Sequence, residues 1–137
     1  MIDPAFLSLE EILGLHADQL ALYGGAAGLR DPGALESAVA MPRATFDGAF
    51  LHDGLFEMAA AYAFHIAENQ AFVDGNKRTA LNASLVFLII NGWRVVDACG
   101  KLYDAMIAIS ARTMSKSEMA ALLEQLAVPD ALEEGAT

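Results

Sequence analysis

Cysteine occurs once in the 137 residues, at Cys99, with no Cys or His neighbour at metal-ligand spacing. An internal disulfide is therefore impossible, and a secreted disulfide scaffold or a zinc site is disfavoured. Basic residues are scarce as well: 8 Lys and Arg stand against 18 Asp and Glu, a formal charge of −10. Such a surplus repels a nucleic-acid backbone over most of the surface, so DNA and RNA are not expected partners. Long apolar runs are missing too; the run Leu85 to Ile90 falls far short of the roughly 20 residues that span a bilayer. The start, Met1-Ile2-Asp3-Pro4, has no basic region leading into an apolar stretch, so neither a secretory signal nor a membrane association is expected and the cytoplasm is the default location. Internal repeats and low-complexity tracts are also lacking.

What is present is apolar. Hydrophobic residues make up 55% of the chain, enough for one domain with its own core. Ser8-Leu9-Glu10-Glu11 reads as a capping box opening a helix over 9–23, with Leu9, Ile12, Leu13, Leu15, Leu20 and Leu22 as its apolar face and Gly24-Gly25 as its stop. Asp31 caps a short second helix with Pro32 in its first turn, ending before Pro42. Residues 43–53 lack a helical period and form a loop or a small hairpin.

Two helices apolar nearly all round are expected at about 55–69 and 76–91, the second with Leu81, Leu85, Val86, Phe87, Leu88, Ile89 and Ile90 inside. Residues 93–96 read as an extended connector, and 100–112 as a further helix with Leu102, Met106, Ile107 and Ile109 at helical spacing. A second capping box, Ser115-Lys116-Ser117-Glu118, starts a last helix running from Met119 to about Ala127. The expectation is an all-α domain of about six helices over residues 1–128 with no sheet, followed by a flexible acidic tail over 129–137.

Between the two enclosed helices lies the stretch Glu68 to Leu81, which gathers Gln70, Asp74, Gly75, Asn76, Lys77 and Arg78 where the domain should be dry. Unpaired buried charge is too costly, so these groups must surface together or line a cavity. A basic pair opening a helix after a glycine suits an anion, since free backbone N–H groups and the positive end of the helix dipole face it together with the side chains. The bland alternative is capping plus a solvated basic pair. Asp74 either caps the helix or, beside a bound triphosphate, holds Mg²⁺. Phe72 reads as a core anchor, Gly75 as the turn that lets a ligand approach the backbone, and His65 as an interior hydrogen-bonded histidine. His16 and His52 have no neighbour that makes them a base.

Gln70 to Arg78 resembles the signature loop of the Fic/Doc family, His-x-Phe-x-Asp/Glu-Gly/Ala-Asn-Gly/Lys-Arg. It is most like the Doc branch, the death-on-curing toxins of bacterial toxin–antitoxin modules: Lys77 and Leu81 stand where the adenylylating branch has glycine and a second arginine. The resemblance extends to Leu15-His16, Tyr23-Gly24-Gly25 and Leu29-Arg30-Asp31-Pro32-Gly33. It implies an all-helical fold with the motif loop between two core helices, and protein kinase activity in which ATP-Mg²⁺ donates a phosphoryl group to a threonine of elongation factor Tu. By position, Asp74 would serve the metal, and Asn76, Lys77 and Arg78 the phosphates. Gly75 would lie against the nucleotide, residues 43–53 would be the flap that orients the target peptide, and an antitoxin would cover the site with a C-terminal helical segment.

The departure is Gln70, which occupies the place of the histidine that serves the family as general base. A neutral amide has no useful basicity near pH 7, and loss of a general base removes about 10²–10⁴-fold of rate. Nucleotide binding should largely survive. Three origins fit: an introduced substitution, a natural loss that leaves a non-toxic binding protein, or replacement of the base by another group. Phosphoryl transfer impaired at Gln70 is the leading expectation. A non-enzymatic protein that binds nucleotide or antitoxin is the first alternative, and adenylyl transfer to a protein hydroxyl is the second.

Overall fold

The computed structural model describes residues 3–97 and 99–130. Among these, six α-helices run in the order α1 (Leu9–Tyr23), α2 (Pro32–Ala40), α3 (Leu55–Asn69), α4 (Asn76–Ile90), α5 (Lys101–Ser110) and α6 (Lys116–Leu126). None is long and apolar enough to cross a membrane. The helix starts follow the local chemistry. Both capping boxes form, Ser8 with Glu11 and Ser115 with Glu118, and Asp31 accepts the Ala34 N–H ahead of Pro32.

α3 is the axis of the domain. Met58 to Ala63, Ile66 and Ala67 are buried along it, which leaves it no solvent face over its middle. Its alanines at 59, 60, 61 and 63 keep it thin, so α4 and α6 pack closely against it while α2 and α5 cover its remaining sides. Tyr62 fixes the start of the chain: its hydroxyl accepts the Leu7 N–H at 2.8 Å and donates to the Leu7 carbonyl at 3.4 Å. Burial pushes this phenol up to about 12.

α4 is less enclosed than expected. Thr79, Ala80, Ala83, Ser84, Phe87 and Leu88 are its buried positions, at the helical spacing of a single face, while Ile89 and Ile90 are exposed at its end. The apolar run had suggested burial all round, but Leu81, Leu85 and Val86 are only partly buried against the core and the end of the helix at Ile89 and Ile90 faces solvent. The same correction applies to Leu22 on α1, which is 72% exposed.

Two small ribbons accompany the helices, the first of them the hairpin that was one of the two expectations for residues 43–53 and the second a pairing that was not expected. Residues 43–53 contain a hairpin of β1 (Thr45–Phe46) and β2 (Ala49–Phe50), and Asp47 and Gly48 both have positive φ, as a tight two-residue turn requires. The connector at 93–96 is β3 (Trp93–Val95), antiparallel to β4 (Ala127–Pro129), which follows directly on α6. Pairing thus continues past residue 128, since Trp93 pairs with Pro129 and the Asp130 N–H bonds to the Gly92 carbonyl. The rest of the expected tail, 131–137, lies outside the described residues.

Candidate functional site

The loop between α3 and α4 begins with a break in helical geometry. Gln70, at the C-cap of α3, adopts a left-handed conformation with φ 47° and ψ 49°, an uncommon backbone for a residue other than glycine. Its carbonyl is fixed from outside by Arg30 Nη2 at 2.7 Å. The next carbonyl, Ala71, accepts the N–H groups of Arg30 and Asp31 at 2.7 and 3.0 Å, and the Val73 N–H bonds to the Gly28 carbonyl at 3.0 Å. The α1–α2 connection is therefore a second wall that lies along the motif loop and holds it backbone to backbone.

Phe72 anchors the loop, as expected. It is 1% exposed and stacks on the buried His16 ring, with centroids 3.7 Å apart and an 8° angle between planes. Asn76 clamps the same residue from the helix side. Its Oδ1 accepts the Phe72 N–H and its Nδ2 donates to the Phe72 carbonyl, both at 3.0 Å. The side-chain amide placed by sequence among the phosphate binders thus has both polar atoms engaged in the loop.

Asp74 is held from three sides. Its carbonyl meets His16 Nε2 at 2.8 Å, Oδ1 accepts the Gly75 N–H at 2.9 Å, and Oδ2 accepts the Ala26 N–H at 3.2 Å. Gly25 makes this approach possible: a Cβ there would stand 2.8 Å from Asp74 Oδ2, and the residue has φ +121°. Each carboxylate oxygen keeps a lone pair for another donor or a cation.

Gly75, with φ 80°, leads into α4 without any side-chain cap. The first backbone N–H groups of that helix are consequently left for an external acceptor. Lys77 and Arg78 project from the same turn, and neither has a carboxylate at ion-pairing distance among the described residues, where the ion pair found is Arg112 with Glu68. Arg78 instead lies over the Tyr23 ring, 4.4 Å from its centroid. In a chain with 18 acidic side chains, an uncompensated pair at a free helix N-terminus is an arrangement that favours an anion.

These groups share one cavity of about 350 Å³. Gln70, Asp74, Gly75, Asn76, Lys77 and Arg78 all line it, so every sequence-selected site residue is brought together. The opposite wall was not anticipated: Tyr103, Met106, Ile107 and Ser110 of α5 face it, with Tyr103 66% and Ile107 44% exposed. Two apolar side chains left at the surface at helical spacing from one another were the available signal. Arg30, Gly25 and His16 act on the loop from behind and carried no sequence signal as loop holders.

No histidine lines the cavity. His16 is used beneath the loop. His65 and His52 belong to a separate cluster, where Lys116 Nζ lies 2.9 Å from His52 Nε2 and 3.0 Å from His65 Nε2. The ammonium donates to both, so both rings are neutral with Nε2 as acceptor. Burial, then the Lys116 charge, then His52 push His65 down to about 4. Burial and Lys116 likewise lower His52, and burial lowers Lys116 itself against the pull of Glu57. His65 is thus hydrogen-bonded, as expected from its place on α3, but half-buried rather than interior.

A model of the Fic/DOC family matches residues 6–88. Over 120 residues the chain is 37% identical to "Protein kinase doc" of Escherichia phage P1, covering 88% of this chain and 94% of that protein. It is 45% identical over 87 residues to "Toxin Doc" of Mycolicibacterium smegmatis, covering 64% of this chain and 65% of that one.

Proposed function

The chain belongs to the Fic/DOC family, and on that premise we propose that it is a Doc-type toxin of a toxin–antitoxin module whose site is built for phosphoryl transfer from ATP to a threonine of elongation factor Tu, with transfer impaired by Gln70. The observation that carries the reading is the uncapped N-terminus of α4 with the uncompensated Lys77 and Arg78, opening on the cavity that also holds Asp74. The name of the phage relative, a protein kinase, favours phosphoryl over adenylyl transfer. The cytoplasm, where ATP and the translation factor occur, is the compartment this activity requires.

Mg²⁺ fits the donor set. Asp74 offers one carboxylate with free lone pairs, and among the described residues no group of three His, Cys, Asp or Glu forms a dedicated cage. A hard cation that arrives with phosphate oxygens and takes one protein carboxylate suits this arrangement. When bound, it would neutralise phosphate charge beside Asp74.

The protein's own part is positioning and electrostatics. In the transfer, the threonine oxygen bonds to the γ-phosphorus, the bond to the β–γ bridging oxygen breaks, ADP leaves, and the hydroxyl proton must go to an acceptor. Lys77, Arg78 and the first N–H groups of α4 offset charge on the transferring group. Asn76, Arg30 and the His16–Phe72 stack keep the loop fixed while they do so. Gln70 stands in the cavity where a proton acceptor is needed, and its amide cannot serve. With His16, His52 and His65 all outside the cavity lining, no histidine stands in for it.

The family's flap corresponds to the β1–β2 hairpin, and its aromatic edge, Phe46 at 75% exposed, is available to a target peptide. An antitoxin helix would cover the cavity along α5, where Tyr103 and Ile107 are exposed. Gln70 favours one second reading, a non-enzymatic protein that binds nucleotide or antitoxin.

The experiment is to incubate this chain and Gln70→His with elongation factor Tu and ATP labelled at the α- or the γ-position. Transfer of γ-label by Gln70→His, at least about 10²-fold faster than by the parent, is expected. Two inactive proteins would support the binding reading, and α-label on the target would replace phosphoryl by adenylyl transfer.

A further inference from the structure

Arg78 makes one contact of defined geometry among the described residues, and it is with an aromatic face. Its guanidinium carbon lies 4.4 Å from the centroid of Tyr23, the last residue of α1, which is 61% exposed. Tyr23 is therefore not a core residue that Arg78 happens to touch. The ring stands at the surface at the edge of the motif site, and what it covers is one side of the guanidinium.

The geometry of the two groups decides what this contact can do. A cation over a ring face is attracted through the ring quadrupole, and the five N–H donors of arginine lie in the plane of the guanidinium. A carboxylate partner would occupy those donors and cancel the charge. An aromatic partner restrains the group and leaves charge and donors available. Arg78 is the third residue of α4, so its side chain tilts back toward the uncapped N-terminus. The contact also brings a cation to the end of α1, whose last turn contains no basic residue of its own.

We propose that Tyr23 is a positioning residue for the anion site: its ring holds the Arg78 guanidinium in place, charged and with free donors, ahead of phosphate binding. The proposal rests on the reading of the cavity as a nucleotide-phosphate site. It gives Tyr23 a role through its face rather than its hydroxyl, and it explains why arginine rather than lysine stands at 78, since an ammonium has no plane to stack.

The test is calorimetric titration of the full chain with ATP-Mg²⁺, comparing Tyr23→Phe, Tyr23→Leu, Arg78→Ala and the double variant Tyr23→Leu/Arg78→Ala. Thermal midpoints are measured alongside to confirm that each variant is folded. Tyr23→Phe should bind as the parent does. Tyr23→Leu should bind about 3-fold more weakly, the scale of a cation–π contact at an exposed site. Arg78→Ala should weaken binding by more than that, and in its background Tyr23→Leu should have no further effect. A purely structural role for Tyr23 would instead give the same loss with and without Arg78, and this overturns the proposal. So does an unchanged affinity in Tyr23→Leu while Arg78→Ala is impaired, which leaves the cavity reading intact. Absence of ATP binding by the parent, or equal binding by parent and Arg78→Ala, overturns the cavity reading and the Tyr23 proposal together.

Discussion

Replacing Asn76 by alanine separates two roles that the position can have. As a ligand for phosphate, Asn76 would matter for nucleotide binding and little for the fold. In the structure its amide makes two hydrogen bonds of 3.0 Å to the backbone of Phe72, a residue 1% exposed. Each such bond contributes about 1 kcal/mol net, and the stranded N–H and carbonyl of Phe72 add to the loss. Alanine regains a few tenths of a kcal/mol from its higher helix propensity. The expected balance is a destabilisation of about 2 kcal/mol. With unfolding entropy of about 2.1 cal/mol/K per residue over 137 residues, that lowers the melting temperature by about 7 °C. Asn76→Asp keeps the acceptor for the Phe72 N–H but turns a carboxylate oxygen on the Phe72 carbonyl, so it should fall at least as far as half that distance. The assay is thermal unfolding followed by circular dichroism, with ATP titration alongside. An Asn76→Ala melting temperature within about 2 °C of the parent, together with weakened ATP binding, would refute the clamp and restore Asn76 as a direct ligand.

Three further outcomes are expected. Gly25→Ala places a Cβ 2.8 Å from Asp74 Oδ2 at φ +121° and should cost about 1–3 kcal/mol in chemical denaturation; an unchanged midpoint would mean that the α1–α2 connection yields freely. The His65 pKa, lowered from 6.5 to about 4, makes stability depend on acidity: the unfolded chain takes up a proton below about 6.5 and the folded one only near 4. Stability is therefore full above the unfolded value and falls as the pH drops from 6.5 toward 4, by no more than about 2 kcal/mol once partial solvent screening of this half-buried ring is allowed for; His65→Gln should flatten that part of the curve, and an identical pH profile would contradict it. Lys116→Met removes the ammonium between the two rings and should move the His65 titration upward by NMR, whereas a stationary pKa would leave burial and the neighbouring His52 as the causes.

The helices were legible because their signals are local. Ser8 with its partner at 11 marked one start to the residue and Asp31-Pro32 another, while the box of Ser115 and Glu118 marked the cap of the last helix, which begins at Lys116 rather than at the expected Met119. The motif residues were legible as a group because charge between two apolar helices has few places to go, and the cavity contains all six of them. The β1–β2 turn was available in Asp47-Gly48, a dipeptide suited to positive φ, but two-residue strands leave no alternation to read. The β3–β4 pair joins segments more than thirty residues apart, and nothing in three residues specifies so distant a partner. The burial of α4 was overestimated because hydropathy reports composition, whereas exposure at Ile89 and Ile90 depends on how many neighbours reach that end. The roles of Arg30, Gly25 and Asn76 needed coordinates, since each acts on backbone atoms tens of residues away or on the inside of a turn.

The second wall along the motif loop has a kinetic consequence. Residues 21–33 are all exposed, and the wall is joined to the loop mainly through backbone hydrogen bonds from residues 28, 30 and 31 and the single contacts of Ala26 and Arg30. Such a segment has little buried area to resist opening. Its bonds also close chain segments of about forty residues or more, whereas the α3–α4 pair is joined by six residues. The helical pair should consequently form early, with the wall docking onto it afterwards and detaching without the core. In hydrogen exchange, the amides of Arg30, Asp31 and Val73 would then report how often the site comes apart in a molecule that is otherwise folded.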